Sequence, residues 1–256
     1  MSLEEIPKPE TAKIRLISER PHNQPTEQPA KRQFVNFTFY RIRPEWRFLD
    51  NETKQRAKAE FQEICEQFRR ESVIQHTYSL AGLRRNADFM LWRIGYDLDK
   101  FQEMTARLNQ TELGRYLEVT ENFLSMTKRS LYIDKYNPEH DEDRLHIMPG
   151  KGNYLFVYPF VKTRDWYMLS PDERQKLMDE HIRVGMKYQT VRINTTYSYG
   201  LDDQEFVVAF ETDSPSDFLD LVEELRFTKA SKYTLRDTPM YTCRQLGLTE
   251  CLDALG

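Results

Sequence analysis

The stretches EWRFLDNETKQRAKAEF (residues 45–61) and DWYMLSPDERQKLMDEH (residues 165–181) align with each other without a gap. Trp46 stands as far before Phe61 as Trp166 stands before His181. A match of this length inside one chain indicates an internal repeat, in which two copies of one structural unit have diverged. One copy ends the stretch with an aromatic residue, whereas the other ends it with a histidine.

Both halves of the chain show the same order of predicted strands and helices. Alternating apolar and polar residues predict strands over 33–42 and 153–162, and helical periodicity predicts helices over 51–71 and 170–188. A hairpin, a second amphipathic helix and a closing strand follow in each half: 74–83 with 87–96, 97–117 and 121–133, and then 190–201 with 205–212, 214–226 and 231–243. The sequence therefore predicts an α+β fold with two ferredoxin-like repeats (β-α-β-β-α-β twice), which form a dimeric α+β barrel-like unit within one chain.

The order of elements also predicts the domain boundaries. Residues 1–33 are rich in Pro, Glu, Lys and Gln and poor in aromatic residues, so we expect a flexible N-terminal tail. The first repeat, which we expect to be structural, covers residues 34–136, and a charged connecting loop covers 137–152. The second repeat covers 153–256 and contains His181.

The composition excludes several classes of function. The 37 basic and 41 acidic residues among 256 leave a net charge of −4, which argues against nucleic acid as a partner. No apolar run approaches the roughly 20 residues that span a bilayer, and the first residues lack a signal-peptide core, so we expect a cytoplasmic protein without a membrane span. Cys65, Cys243 and Cys251 have no CxxC spacing, so neither a disulfide framework nor a thiolate zinc site is indicated.

The helix that carries His181 is clearly marked in the sequence. Ser170 and Glu173 form a predicted capping box, and Pro171 occupies the first helical position. His181 shares one helical stripe with Leu177, Val184 and Tyr188, so its ring should face the interior. Two interpretations remain open: a core histidine that donates to a backbone carbonyl, and a ligand of a metal or haem iron.

The other histidines favour haem over a multi-ligand metal site. His22, His76, His140 and His146 offer no partner at a metal-ligand spacing, whereas haem iron needs only one protein ligand. A haem also needs an apolar slot with polar groups for its propionates. On strand 153–162, Tyr158 shares a face with Tyr154 and Phe156, Lys162 closes the strand, and Arg144 precedes it in the charged loop. Aromatic packing and solvated surface charge are the alternative explanations for these residues.

Residues 153–185, NYLFVYPFVKTRDWYMLSPDERQKLMDEHIRVG, and 197–211, YSYGLDDQEFVVAFE, resemble the chlorite dismutase family of haem proteins. That family includes the coproheme decarboxylases of Gram-positive haem synthesis, and the resemblance covers about residues 34–243. It implies that the second repeat binds haem b or iron coproporphyrin and that His181 is the proximal iron ligand. It further implies a ring-shaped homo-oligomer, with the pentamer as the expected form.

The resemblance also implies roles for other residues of the second repeat. Tyr158 matches the radical-forming tyrosine of coproheme decarboxylases, which lies beside the reactive propionate, and Lys162 matches the lysine four residues later. Arg144 and Trp166 also fit the family pattern. In such a reaction hydrogen peroxide is the oxidant, Tyr158 relays the radical to a propionate, and Lys162 helps to move the proton.

Two positions depart from the family pattern. The distal pocket residue is arginine in chlorite dismutases and glutamine in many decarboxylases, whereas the alignment places Ile193 there, between Arg192 and Asn194. The carboxylate that bonds the proximal histidine should fall near Lys229 and Ala230. An apolar distal side argues against chlorite dismutation, and the loss of the proximal carboxylate argues against a fast peroxidase.

Three functional hypotheses follow. The first is a peroxide-dependent coproheme decarboxylase that uses Tyr158 and Lys162. The second is a carrier or sensor that binds haem or another tetrapyrrole without turnover. The third is a haem-free interaction scaffold in which His181 is a core residue.

Overall fold

The computed structural model describes residues 31–137 and 145–256. Arg144, His22 and His140 therefore lie outside the described residues, as do positions 1–30 of the predicted tail and 138–144 of the predicted loop. Residues 31–256 form one compact unit.

The chain forms nine strands within the described residues. They are β1 (Phe34–Ile42), β2 (Ile74–Ser79), β3 (Phe89–Gly95), β4 (Leu117–Met126), β5 (Tyr154–Lys162), β6 (Arg192–Tyr197), β7 (Phe206–Thr212), β8 (Thr234–Arg236) and β9 (Tyr241–Gln245). Strand β1, with the sequence FVNFTFYRI, is rich in aromatic and β-branched residues and is buried on both faces.

In the described part of the chain the four predicted helices are present, together with three short ones that the sequence analysis did not predict. They are α1 (Asn51–Glu71), α2 (Leu98–Gln110), α3 (Leu131–Tyr136), α4 (Arg164–Met168), α5 (Pro171–Gly185), α6 (Pro215–Phe227) and α7 (Leu248–Asp253). Helix α5 begins as predicted, because the Ser170 side chain accepts from the Glu173 backbone N–H while the Glu173 carboxylate accepts from the Ser170 N–H. Helix α1 is capped by Asp50, whose side chain accepts from the backbone of Thr53.

The strands close into a barrel. Their order is β7-β6-β4-β1-β3-β2-β9-β5-β8, and an additional antiparallel pairing between β5 and β7 joins the two ends around every strand except β8. The first repeat contributes β1, α1, β2, β3, α2 and β4, and the second contributes β5, α5, β6, β7, α6 and β9. Two ferredoxin-like units thus share one barrel, which confirms the predicted fold class.

The inward faces of both repeats form one shared core. Alternate residues of the strands point into the barrel, where the largest fully buried side chains include Phe37, Phe39, Tyr78, Trp92 and Tyr241. Because the interior is filled by these side chains, the outer faces of the strands are left for the helices. Helices α1 and α2 cover the first repeat, and α5 and α6 cover the second.

The two repeats keep corresponding contacts as well as corresponding elements. The ring centroids of Trp46 and Tyr116 are 5.6 Å apart, and those of Trp166 and Tyr233 are also 5.6 Å apart. Each tyrosine carbonyl accepts a backbone N–H from the loop that precedes the tryptophan: Arg43 at 2.8 Å in the first repeat and Thr163 at 2.9 Å in the second. This agreement supports the interpretation of the sequence as a duplication.

Several boundaries differ from the sequence prediction. The predicted closing strand over 121–133 ends at Met126, and Leu131–Tyr136 is helical. The predicted strand over 231–243 is split into β8 and β9, and the sequence analysis did not predict α7. Gln33, placed in the flexible tail, is buried, because its backbone N–H donates to Thr127 Oγ1 and its side chain accepts from the Ile147 backbone. These differences arise from contacts between segments that are distant in the sequence.

Within residues 31–137 and 145–256, none of the helices combines the length and the apolar character that crossing a bilayer requires.

Candidate functional site

An apolar cluster, which we call the slot, lies on the outer face of the second repeat, where side chains of β5 and β7 pack against α5 and α6. Its wall contains Phe156, Tyr158, Val191, Phe210 and Leu221, with Tyr154, Val184, Tyr188, Val208 and Phe218 packed against them. Two stacked aromatic pairs contribute to it: Phe156 of β5 with Phe218 of α6 at 3.9 Å, and Tyr158 of β5 with Phe210 of β7 at 5.9 Å between ring centroids. A wall of this kind suits a flat apolar ligand.

His181 lies on α5, on the side of the helix that faces this slot. Its side chain is half-buried, and Nδ1 is fully buried and has no hydrogen-bond partner among the described residues. Burial, together with the positive charge of Lys162, lowers the pKa of His181 to about 4. The imidazole is therefore neutral near pH 7, which is the form that binds a metal ion.

The unpartnered Nδ1 does not match the interpretation of His181 as a core histidine that donates to a backbone carbonyl. A core histidine is expected to donate to a carbonyl, because an unpaired buried polar atom costs about 1–3 kcal/mol. No carbonyl of the described residues accepts a proton from His181 Nδ1.

Lys229 and Ala230 follow α6, in the segment where the family resemblance predicts a carboxylate partner of the proximal histidine. Lys229 is exposed and Ala230 is buried, and the Lys229 backbone N–H donates to Glu180 Oε2 at 3.0 Å. Neither of these two side chains can accept a hydrogen bond from an imidazole N–H.

Lys162 is a buried cation next to His181. Its side chain ends β5, the residue is 9% exposed, and Nζ donates to the carbonyl oxygen of Ala230 at 3.2 Å. The same Nζ lies 4.6 Å from the ring centroid of Trp166, which is itself 3% exposed. Burial lowers the pKa of Lys162 to about 8, and the negative charge of Glu205 partly opposes this effect. Such an ammonium group can give up and regain a proton near neutral pH.

Tyr158 is a buried phenol in the slot wall. Burial raises its pKa, the charge of Asp237 raises it further, and the charge of Arg226 opposes the shift. Arg226 and Asp237 form an ion pair with each other. Tyr158 is thus protonated at neutral pH, and its hydroxyl hydrogen is available to a bound group.

Ile193 lies at the edge of the slot, on the opposite side from the barrel interior. It pairs with Phe210 across β6 and β7, and it is 40% exposed. A Cβ atom on Gly185 would lie 3.9 Å from Ile193 Cδ1, so the strand faces the end of α5 here. The neighbouring Asn194 donates to Glu211 Oε2 at 3.1 Å, and Glu211 is buried. Because successive side chains of a strand point to opposite faces, Ile193 faces the slot, whereas Arg192 and Asn194 face away from it.

The structure brings together five of the six site residues named from the sequence. His181, Lys162, Trp166, Tyr158 and Ile193 all belong to the second repeat and surround or adjoin the slot. The sixth, Arg144, lies outside the described residues.

Sequence reasoning missed two polar pairs near this slot. The Arg226–Asp237 pair influences Tyr158, and the carboxylate of Glu205 accepts the hydroxyl proton of Tyr167 at 2.6 Å. Their partners come from different elements, so no local periodicity marks them. The only available signal was the position of Tyr167 directly after Trp166.

No group of three or more His, Cys, Asp or Glu side chains within the described ranges is arranged to hold a metal ion. A site that relies on one histidine does not require such a group.

A family model described as chlorite dismutase matches residues 54–246. The match omits β1 but includes most of α1, all of α5 and the residues of the slot. The chain belongs to the chlorite dismutase family. It shares with this family the segments that carry Tyr158, Lys162 and His181, which lie in the matched range.

Curated relatives from two bacteria carry the name coproheme decarboxylase. The protein from Mycolicibacterium smegmatis is 31% identical over 173 residues, which is 66% of this chain and 72% of the relative. The protein from Staphylococcus carnosus is 32% identical over 165 residues, which is 60% of this chain and 66% of the relative, just under two thirds of its length.

Solved structures share the fold of this member of the chlorite dismutase family. The chlorite dismutase from Candidatus Nitrospira defluvii in complex with imidazole has a TM-score of 0.79 at 26% identity, with 87% of this chain and 94% of that chain covered. A heme-binding protein from Thermus thermophilus has a TM-score of 0.78 at 27% identity, again over 87% of this chain and 94% of that chain. Both repeats therefore have counterparts in these structures.

Proposed function

We propose that this protein binds iron coproporphyrin or haem in the slot, with His181 as the axial ligand, and acts as a peroxide-dependent coproheme decarboxylase. The observation that carries the proposal is the geometry of His181, a neutral imidazole in an apolar wall whose buried Nδ1 has no partner. The two curated relatives named coproheme decarboxylase support the choice of reaction.

The residues of the slot fit a tetrapyrrole. The wall is formed by aromatic and aliphatic side chains, which suit the faces of a porphyrin. Because Nδ1 of His181 is buried, its other ring nitrogen is the one available to an iron ion. When it is bound, the iron porphyrin supplies the chemistry by which hydrogen peroxide becomes a one-electron oxidant of a nearby side chain.

Tyr158 is the residue that would act on the reactive propionate. Its phenol is buried, is protonated at neutral pH because its pKa is raised, and forms no hydrogen bond with the described residues. Once oxidised to a radical, Tyr158 would take a hydrogen atom from the β-carbon of a propionate within contact and so return to the phenol. The propionate would then lose carbon dioxide and one further electron, which the oxidant derived from hydrogen peroxide would accept, and become a vinyl group.

Lys162 is the residue that would help to transfer the proton. With its pKa lowered to about 8, roughly a tenth of the Lys162 side chains are neutral at pH 7, so the group can both give and accept a proton there. Its hydrogen bond to the Ala230 carbonyl and its contact with the Trp166 ring hold the side chain in one position. Arg144, which lies outside the described residues, is proposed to bind a propionate, as the family resemblance implies.

Ile193 limits the reactions that the slot can perform. Its side chain offers no hydrogen bond or charge to an anion or to peroxide on the far side of the ligand. We therefore expect slow activation of peroxide and no chlorite dismutation.

The apolar Ile193 and the missing carboxylate partner of His181 favour a second candidate function, a carrier or sensor of haem without turnover. An apolar Ile193 and a His181 without a carboxylate partner both weaken peroxide activation, while neither prevents tetrapyrrole binding. In this second function Tyr158 and Lys162 pack against the ligand without reacting.

We further propose that the protein is cytoplasmic and forms a ring-shaped homo-oligomer, with the pentamer as the expected form. Sedimentation velocity of the full chain would test the oligomeric state, and a single monomeric species would contradict it.

The deciding experiment is an absorbance titration of the purified protein with iron coproporphyrin III and with haem. It is followed by addition of hydrogen peroxide and by mass analysis of the porphyrin. A histidine-ligated spectrum and the stepwise loss of two carboxyl groups support the decarboxylase. A spectrum with no change in porphyrin mass supports the carrier, and the absence of a spectrum returns His181 to the role of a core residue.

His181→Ala is the informative variant, because it should abolish the histidine-ligated spectrum. His76→Ala is the matched control, since His76 lies on β2 in the other repeat and should leave the spectrum unchanged. Tyr158→Phe should bind iron coproporphyrin normally but leave both propionates intact.

A further inference from the structure

Two tyrosines and one carboxylate form a hydrogen-bonded group next to the slot. The Tyr167 hydroxyl donates to Glu205 Oε2 at 2.6 Å, and it lies 2.8 Å from the Tyr199 hydroxyl. We call Tyr167 and Tyr199 the phenol pair. Short O–H···O⁻ bonds of this length are charge-assisted and stronger than bonds between neutral groups.

The phenol pair connects the slot region with the protein surface. On the inner side, Tyr167 directly follows Trp166, whose ring contacts Lys162 Nζ. The carboxylate oxygen that accepts from Tyr167 also accepts the backbone N–H of Lys162 at 2.8 Å. On the outer side, Tyr199 is 45% exposed. One hydrogen-bonded group thus reaches from the backbone of a proposed catalytic residue to solvent.

The chemistry of phenol oxidation explains why this arrangement matters. A phenol that loses one electron becomes strongly acidic, so its oxidation is much easier when a base within hydrogen-bond distance takes the proton. Glu205 is such a base for Tyr167. Burial, followed by the hydrogen bonds to Glu205 and Tyr199, raises the pKa of Tyr167, so its proton is in place at neutral pH.

We propose that the phenol pair and Glu205 form a redox-active exit, which carries a one-electron oxidation from the slot to the surface at Tyr199. This inference rests on the proposed function, which supplies hydrogen peroxide as the oxidant at the bound iron porphyrin. The role of this exit is to remove an oxidising equivalent from the slot when no propionate is positioned to react.

Each step of the transfer balances. Tyr167 gives one electron to the oxidised site and its hydroxyl proton to the Glu205 carboxylate, so the site is reduced by one electron and Glu205 becomes a carboxylic acid. Tyr199 then gives its hydroxyl hydrogen atom to the Tyr167 oxygen across the 2.8 Å contact, which restores Tyr167 and leaves the radical on Tyr199. An external reductant, or a second Tyr199 radical that couples to form dityrosine, consumes it.

Two other tyrosines at the slot, Tyr158 and Tyr188, lack this combination. Tyr158 has no carboxylate partner among the described residues, and Tyr188 donates to Glu224 Oε1 at 2.9 Å without a second phenol in hydrogen-bond contact. The phenol pair therefore has both the base and the exit that a transfer to the surface requires.

The test uses a photogenerated ruthenium(III) tris-bipyridine oxidant on the full chain without added porphyrin. We expect the transient absorption and EPR signals of a tyrosyl radical, with a yield at least about tenfold lower in Tyr167→Phe and in Glu205→Gln. The Gln variant is informative because its side-chain oxygen still accepts from the Lys162 N–H but cannot take a phenol proton. Tyr199→Phe should keep the radical on Tyr167 and lose dityrosine.

Tyr96→Phe is the matched control, since Tyr96 is 38% exposed and belongs to the first repeat. It should leave radical yield and dityrosine unchanged. Equal radical yields in the wild-type protein and in Glu205→Gln would overturn the inference, as would dityrosine that peptide mapping places at Tyr96 instead of Tyr199.

A second measurement links the exit to the slot. Iron coproporphyrin III and hydrogen peroxide are added to the wild-type protein and to Glu205→Gln, and dityrosine at Tyr199 is mapped. Loss of the crosslink in Glu205→Gln supports the exit, and an unchanged crosslink overturns it. If iron coproporphyrin III does not bind at all, the proposed function fails, and the photochemical experiment still decides the inference by itself.

Discussion

The ammonium group of Lys162 and the imidazole of His181 are charge-coupled neighbours, and the positive charge of the first lowers the pKa of the second. Lys162 satisfies one donor with the Ala230 carbonyl, whereas Nδ1 of His181 has no partner within the described part of the chain. A histidine that binds iron usually donates to a carboxylate, which makes it a stronger electron donor. His181 lacks this support, so we expect a higher iron reduction potential than a carboxylate-paired histidine would give.

The pH dependence of stability should reveal the burial of His181. Its pKa is lowered to about 4 in the folded protein, against about 6.5 when unfolded, so between these values the unfolded state binds more protons. Stability should therefore fall as the pH drops from 6.5 to 4, by on the order of 2–3 kcal/mol from this group. Urea denaturation of the porphyrin-free protein across this range measures the effect.

His181→Phe is the matched variant for this measurement, because the first repeat has Phe61 at the corresponding position. The variant should show a flatter stability profile between pH 6.5 and 4. Parallel profiles for the two proteins would contradict the assignment of the effect to His181.

Lys162→Met should make the protein more stable and less active. Burial lowers the pKa of Lys162 to about 8. At pH 7 the charged lysine is therefore less stable in the folded protein than in the unfolded protein. Replacing this charge by an apolar side chain of similar length should raise the free energy of unfolding at pH 7 by about 1–3 kcal/mol. The gain should shrink as the pH rises through 8 towards 10.5, because wild-type Lys162 loses its proton in the folded state first.

Lys176→Met, at an exposed position of α5, is the control for Lys162→Met and should change stability by less than about 0.5 kcal/mol. Decarboxylation of iron coproporphyrin should fall in Lys162→Met only. A destabilised Lys162→Met protein would show that the lysine is needed for packing, contrary to this prediction.

The first repeat contains a buried arginine that should be essential for stability but not for the slot. Arg93 is 3% exposed and donates to Asn36 Oδ1, Thr38 Oγ1 and Thr105 Oγ1 at 2.5–3.1 Å. Asn36→Leu would leave this guanidinium without its main acceptor, so we expect a loss of about 3–5 kcal/mol of stability.

A double-mutant cycle separates this effect from general damage to the core. Asn36→Leu with Arg93→Leu should cost less than the sum of the two single substitutions, because no unpaired charge remains. The absorbance spectrum of bound iron coproporphyrin should be the same in all variants that fold. Additive costs would show that the two residues act independently.

Ile193→Arg should give the slot an anion-binding group. A guanidinium at this exposed, slot-facing position can donate to a small anion on the iron, which an isoleucine cannot do. We expect the affinity of the haem-loaded protein for fluoride to rise by about tenfold, measured by absorbance titration. Ile193→Leu is the control and should leave fluoride affinity unchanged; an equal gain in both variants would point to a change in slot shape.

The sequence by itself determined the duplication and the local structure of the second repeat. The gapless match of the two tryptophan segments, the alternation in β5 and the Ser170 capping box depend on residues a few positions apart, so their patterns are visible without a structure. For the same reason the helical stripe predicted that His181 faces the interior, whereas Ile193 was placed by the alignment with the chlorite dismutase family.

Only the tertiary structure decided how distant segments complete the site. Pairing of β5 with β8 brings Ala230 to Lys162, and pairing of β5 with β7 brings Glu205 to Tyr167. The same packing buries Nδ1 of His181 without a partner and anchors Gln33, which composition alone assigned to a tail. Hydrogen bonds and desolvation depend on which surfaces meet in space, and a pattern along one strand or helix carries no information about its distant partner.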